Sequence, residues 1–282
     1  MPKKHHPELL ESAALLVGVG ADLPATVSDA KRMRDLLLHD RSRSYPTNRL
    51  KLLTESQATV AEITSNLRAI GNSSIKRRYR TFIFYFSGHG GRNSSRSSAS
   101  ECFLVPYGYD TQSHATTSLP GKLLRALLER IVCDRMVAIF DCCHAGGIKS
   151  GVTLRNAPLP SELLKTWNRP GAVVLLASSH EDEYSYVEGG NSIFTATLLD
   201  GIQKHRRYRI FDLILFLFEE VARRSKRPAT PICYPRIWNR NEFPALRAAR
   251  PQPQTETLER TPTTAPRYGS ATQNATNKTY SA

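Results

Sequence analysis

Residues 136–147, MVAIFDCCHAGG, decide how this chain is read, together with residues 81–91, TFIFYFSGHGG. Each is a short apolar run, rich in β-branched and aromatic side chains, that stops at small and reactive residues. That pattern predicts a buried strand delivering chemistry at its C-terminal end. One run stops at His89, the other at Cys143. A thiol is a useful nucleophile only as thiolate, and a neighbouring histidine supplies both the base and the positive charge that favour it. If the two strands lie parallel in one sheet, their C-terminal ends share the rim where open α/β sheets place their sites. Gly88, Gly90 and Gly91 leave the backbone beside His89 uncovered, so the amides of Gly90 and Cys143 make a candidate oxyanion hole.

Outward from these runs, strand and helix signals alternate. Residues 13–19 predict a first strand, and residues 26–40 a helix with Val27, Ala30, Met33, Leu36 and Leu37 at helical spacing. A second helix is predicted to open on the capping-box pattern Thr54-x-x-Gln57 and to stop at Gly71. After the histidine strand, residues 92–100, RNSSRSSAS, predict a polar surface loop and residues 102–109 a short strand or hairpin. Leu123, Leu124, Leu127, Leu128 and Ile131 form one helix face that returns the chain to the cysteine strand. Residues 172–179 predict another buried strand, 193–202 and 210–221 two helices, and 232–238 a closing strand. Phe211, Leu215 and Phe216 make the 210–221 helix apolar on further faces, as burial on more than one side or a partner surface requires. This alternation predicts an α/β class with a mainly parallel β-sheet flanked by helices.

The chain has 282 residues, enough for a substantial α/β core. A short extension, 1–10, precedes a domain over 11–243; from 244 to 282 Pro, Thr, Ala, Gln and Asn dominate and a disordered tail is expected. No apolar run is long enough for a membrane span and the start, MPKKHHPELLES, lacks a signal-type segment, so a cytoplasmic or nuclear location is expected. The five cysteines lack paired C-x-x-C spacing, which argues against a disulfide framework or a zinc site. The formal charge of +14 is concentrated at KRRYR (76–80), KHRRYR (204–209) and RRSKR (223–227). These runs read as a solvated face, or as a surface for an anionic partner; no nucleic-acid fold signature accompanies them.

SGHG after an aromatic strand, and D-C-C-H-A-G after another some fifty residues later, resemble the caspase-like cysteine peptidases (peptidase C14). With Asp141 two residues before Cys143, the D-x-C-H-[small]-G form is most similar to metacaspases. The resemblance covers residues 12–243 and implies the caspase-like fold, with a large-subunit-like part over 11–148, a linker over 149–170 and a small-subunit-like part over 171–243. It also implies regulated proteolysis by a Cys143–His89 dyad, in cell death or stress handling. Cys142 and His144 stand beside the motif as rivals; neighbouring side chains on a strand point to opposite faces, and the motif alignment favours Cys143 with His89.

In metacaspases an acidic pocket takes Arg or Lys before the scissile bond, and the matching positions here are Asp29, Ser87 and Asp141. Paired carboxylates suit a guanidinium. Thr26-x-x-Asp29 also fits a helix-start device. Arg32, Arg34 and Arg92 keep an aspartate preference open, as in animal caspases. Where many metacaspases hold calcium through aspartates, this chain has residues 117–122, TSLPGK; Asp110 and Glu101 are thin material for a hard cation, so no cofactor and no calcium dependence are expected. Lys149, Arg155, Lys165 and Arg169 are candidate self-processing positions, and Glu181, Asp182 and Glu183 candidate groove residues or a solvated acidic loop. The alternative from another class is a scaffold of the same fold that works by binding, through the basic runs or the 210–221 helix. Oligomeric state is not legible.

Overall fold

Apolar strands alternate with amphipathic helices along the chain, and the computed structural model describes residues 11–38, 45–93, 101–143, 171–178, 187–188, 190–204, 210–225 and 230–236. In chain order, β1 (Ala13–Gly18) leads to α1 (Pro24–Leu38), and β2 (Leu50–Thr54) to α2 (Val60–Lys76). Then come β3 (Tyr79–Asn93), β4 (Glu101–Val105), the single turn α3 (His114–Thr117), β5 (Leu119–Pro120), α4 (Gly121–Glu129) and β6 (Cys133–Cys143). β7 (Ala172–Ala177), the pair β8 (Val187–Glu188) and β9 (Asn191–Ser192), α5 (Ile193–Lys204), α6 (Ile210–Arg224) and β10 (Ile232–Arg236) follow. The main sheet runs β10-β7-β6-β3-β1-β2, with β4 on the far end of β3 and β5 on β4. β2, β1, β3, β6 and β7 are parallel, and β10 closes one edge antiparallel. Parallel pairing needs crossovers, which the helices between strands supply.

Both faces of the sheet are buried, and strand alternation divides them. Phe82, Phe84 and Phe86 of β3, with Met136, Ala138 and Phe140 of β6, face Ile63 and Leu67 of α2 and Leu124 and Leu128 of α4. Ile83, Tyr85, Val137 and Ile139 face the opposite layer, Met33 and Leu37 of α1, Phe194 and Leu198 of α5, and Leu213 and Leu217 of α6. Each such buried side chain contributes roughly 1.5–3 kcal/mol. A one-residue slip would exchange the two faces, so the β3–β6 register is strongly specified. Ser87 and Asp141 continue the α1–α5–α6 face of their strands.

The helix face over 26–37 packs as its spacing predicts; of the face over 123–131, Leu124, Leu127, Leu128 and Ile131 are buried but Leu123 is exposed, and in the 210–221 helix Ile210, Leu213, Ile214, Leu217 and Val221 are buried while Leu215 (64 % exposed) and Phe218 (38 %) are not. Three expectations are corrected. β3 does not stop at His89: it runs to Asn93, because its glycine-rich end exchanges β1 for a new partner, pairing antiparallel with β4 from His89↔Val105 to Asn93↔Glu101. The second helix opens at Thr59, whose side chain accepts from the Glu62 N–H, not at Thr54, which ends β2 and makes no side-chain cap. It also passes Gly71, buried inside it, and ends at Lys76. The predicted loop over 94–100, the linker over 149–170 and the tail lie outside the described residues. Among the described residues, no helix is long and apolar enough to cross a membrane.

Candidate active site

Two neighbouring parallel strands carry the predicted residues to one rim. In the β3–β6 ladder Ser87 pairs with Asp141, Gly88 with Cys142 and His89 with Cys143. β1 ends beside Ser87, in the pair Gly18↔Ser87, so the space beyond it is taken by the loop that leads into α1. Gly88 is required there: a Cβ would stand 2.7 Å from Val19 Cγ2 and 3.0 Å from the Phe86 ring. Gly18 lets α1 close onto β1, since a Cβ would lie 2.4 Å from the Thr26 carbonyl oxygen. That approach is what brings Asp29 of α1 over the strand ends.

Alternation separates the adjacent cysteines. Cys142 packs against the cluster of Phe82, Phe84, Phe86 and Phe140, the layer opposite to the one that Asp141 faces. Cys143 is the last described position of β6, in register with His89. His89 is buried, and its Nε2 lies 3.0 and 3.1 Å from the two carboxylate oxygens of Asp22, in the loop after β1.

Asp29 and Asp141, both without solvent exposure, are bridged by one residue. The backbone N–H of Ser192 donates to both Asp29 oxygens at 3.3 Å, while its hydroxyl donates to Asp141 Oδ2. The same hydroxyl accepts the Thr195 N–H at 3.0 Å, so Ser192 caps α5 while holding both acids. Thr195 Oγ1 donates to Asp141 at 2.6 Å and therefore accepts from the Tyr85 hydroxyl at 2.7 Å. Asn191 Nδ2 donates to Asp29 Oδ1 at 2.7 Å and to Ser28 Oγ at 3.0 Å, and Asn191 Oδ1 accepts from Arg32 at 2.7 Å. The Asp29 carboxylate thus serves residues 162 positions away rather than its own helix start, where Thr26 is the local device, accepting the Gly20 N–H and donating to the Leu23 carbonyl.

Two acids in one dry site resist ionisation together. Burial first, then the nearby Asp141, pushes the Asp29 carboxyl up to about 7, against the pull of Asn191, Ser192 and Arg32. Tyr85 is pushed well above its ordinary value by burial, then by Asp141 and Asp29. Ser87 is buried among these groups; its hydroxyl finds no hydrogen bond of good geometry, although it lies close enough to Tyr85 to oppose that rise.

Other predicted groups behave differently. Arg34 pairs with Asp35 at 2.7 Å, and the side chain of Arg92 lies outside the described residues, as do His144, the four self-processing positions and Glu181, Asp182 and Glu183. Arg77, Arg78 and Arg80 of the first basic run pair with Glu11 and Asp134 at the surface. Asp110 accepts the Gln112 N–H in a local turn, and among the described residues no group of three or more His, Cys, Asp or Glu could hold a metal ion. Asp22, Tyr85, Asn191, Ser192 and Thr195 were not singled out in the sequence. Only Ser192-x-x-Thr195, a helix-start pattern, carried a local signal.

The fold built from these elements is shared with known proteins. The structure is similar to that of the Geobacter sulfurreducens protein GSU0716 (TM-score 0.57, 18 % identity, covering 79 % of this chain and 92 % of that one). It is also similar to caspase-1 from Spodoptera frugiperda (TM-score 0.52, 14 % identity, covering 83 % and 89 %). Identities this low speak for the fold alone, and a sequence comparison with curated proteins found no match. The family model for the caspase domain of the C14 peptidases, however, matches residues 11–258, nearly the whole chain. With the caspase-like fold and the paired strand ends, that match settles the family: this chain belongs to the caspase-domain (C14) family of cysteine peptidases.

Proposed function

We propose that the chain is a cysteine endopeptidase of the metacaspase kind, cleaving proteins after arginine or lysine with Cys143 as nucleophile and His89 as base. The observation that carries the substrate class is the Asp29–Asp141 pair: two buried carboxyls beside the orphan Ser87 hydroxyl, two strand positions before the His89–Cys143 pair. Burial and the neighbouring Asp141 push the Asp29 carboxyl up to about 7, so a cation entering between the two acids would let both ionise. A guanidinium would supply the charge and a planar set of N–H donors. The Asn191 side-chain amide and the Ser192 N–H donate to the Asp29 oxygens that a guanidinium would use, so an entering arginine must displace Asn191 from Asp29.

In the reaction, His89 takes the Cys143 proton and the thiolate attacks the peptide carbonyl. The oxyanion forms opposite the amides of Gly90 and Cys143. Collapse breaks the C–N bond, His89 returns the proton to the leaving amine, and water hydrolyses the thioester with His89 again as base. No step calls for a metal, and calcium-independent turnover is expected.

The test is cleavage of two fluorogenic peptides, ending in arginine and in aspartate, by purified protein with and without calcium, beside Cys143→Ala. Arginine cleavage lost in the variant supports the reading. Aspartate cleavage would overturn the pocket assignment. Cleavage of neither would favour the binding-scaffold reading, for which the exposed Leu215 and Phe218 of α6 are the surface at hand.

A further inference from the structure

We infer that Asp22 is a positioning residue for His89, so that the site works as a Cys143–His89–Asp22 relay rather than a bare dyad; this rests on the peptidase reading above. The carboxylate straddles Nε2 at 3.0 and 3.1 Å. An ionised carboxylate only accepts hydrogen bonds, so this contact puts a proton on Nε2, and in the neutral ring that acts as base the lone pair is then on Nδ1. Nδ1 is then the nitrogen that takes the thiol proton. The resulting imidazolium keeps its Nε2–H on Asp22 and releases the Nδ1 proton to the leaving amine, so one proton moves in each direction and Asp22 itself gains none.

The backbone that presents Asp22 is held in place for this. It sits in the turn Gly20–Leu23, closed by Leu23 N–H to the Gly20 carbonyl at 2.9 Å, with Ala21 in the left-handed region at φ 55°. A non-glycine residue there persists only when its surroundings over-determine it, and such strain concentrates at functional sites. Three bonds anchor the turn: Val19 N–H to the Ser87 carbonyl at 3.0 Å, Gly20 N–H to Thr26 Oγ1 at 2.8 Å, and Thr26 Oγ1 to the Leu23 carbonyl at 2.8 Å. Thus β3, which carries the histidine, and α1, which carries Asp29, jointly fix the loop that carries Asp22. His89 is 8 % exposed and Asp22 67 %, so the acid reaches in from the solvent side, where water screens it. Its effect is therefore placed at the scale of hydrogen-bonding partners that orient a functional histidine, below that of the acid–base group itself.

The test is steady-state cleavage of the arginyl peptide by the full chain carrying Asp22→Ala or Asp22→Asn, with iodoacetamide alkylation of Cys143 followed by mass spectrometry in parallel. Asp22→Ala is expected to lower kcat by about 10- to 100-fold with KM within about twofold. Asp22→Asn, which keeps an acceptor for Nε2–H but not the charge, should recover part of that loss, and Cys143 alkylation should slow in the same order. An unchanged kcat in Asp22→Ala, or a rise in KM with no gain from asparagine, would overturn the assignment. If the wild-type chain cleaves no peptide, the substrate reading fails, and alkylation decides on Asp22 separately: equal rates in wild type and Asp22→Ala would overturn it.

Discussion

Asp29→Asn should make the protein more stable and less active at once. Asp29 is fully buried, and its carboxyl is raised from the ordinary 3.8 to about 7 by burial and by Asp141. Because the folded value lies above the unfolded one, the folded state holds its proton more tightly between pH 4 and 7. The stability this gives is fully present below about pH 4 and is lost as pH rises through about 7. At about 1.4 kcal/mol for each pH unit, the ceiling is about 4 kcal/mol by pH 8. Asparagine avoids that loss, and its one carbonyl oxygen can still accept from the Asn191 amide and the Ser192 N–H, but its NH2 replaces the second oxygen that the Ser192 N–H also reaches; that impaired contact costs about 1–2 kcal/mol. A net gain of about 1–3 kcal/mol at pH 8, vanishing or reversing near pH 4, is the expected result of urea denaturation at the two pH values. On the proposed reading the same change lowers kcat/KM for an arginyl peptide by about 10- to 100-fold, the loss of one charge-assisted contact. A variant destabilised at pH 8 as much as at pH 4 would refute the reasoning.

Two further changes test the frame around the site. Gly88→Ala forces a methyl against Val19 and the Phe86 ring and should cost about 1–3 kcal/mol, read as a lower denaturation midpoint; no loss would mean that β3 and the loop after β1 are not packed as described. Thr195→Val keeps the shape but removes the hydroxyl that joins Tyr85 to Asp141, taking the acceptor from the buried Tyr85 hydroxyl and one of the donors from Asp141, which keeps Ser192, and should cost about 1–3 kcal/mol by the same assay.

The sheet was legible because its strands are buried on both faces, and such strands appear in sequence as unbroken apolar runs like AALLVG of β1 and AVVLLA of β7. β2, LKLLT, was not, because an edge strand with mixed exposure has no such signature. The second helix start was misplaced since Thr54-x-x-Gln57 and Thr59-x-x-Glu62 have the same local form. Tertiary structure chose between them by drawing Thr54 into the sheet beside Gly18. The acidic residues matching a known motif, Asp29 and Asp141, were found; the groups that hold them were not. Asn191 and Ser192 meet Asp29 only through the fold, and Asp22 looks in sequence like any solvated turn residue until His89, 67 positions on, is placed beside it.

The most direct test of the central claim is covalent trapping with two peptidyl ketone inhibitors, ending in arginine and in aspartate, and mapping of the adduct by mass spectrometry. Competing thiols are distinguishable: Cys102 and Cys133 are buried, and burial pushes Cys233 up to about 12. The account predicts an adduct on Cys143 from the arginyl reagent, absent in His89→Ala and slowed in Asp29→Asn. An adduct on Cys142, or faster reaction with the aspartyl reagent, would contradict it.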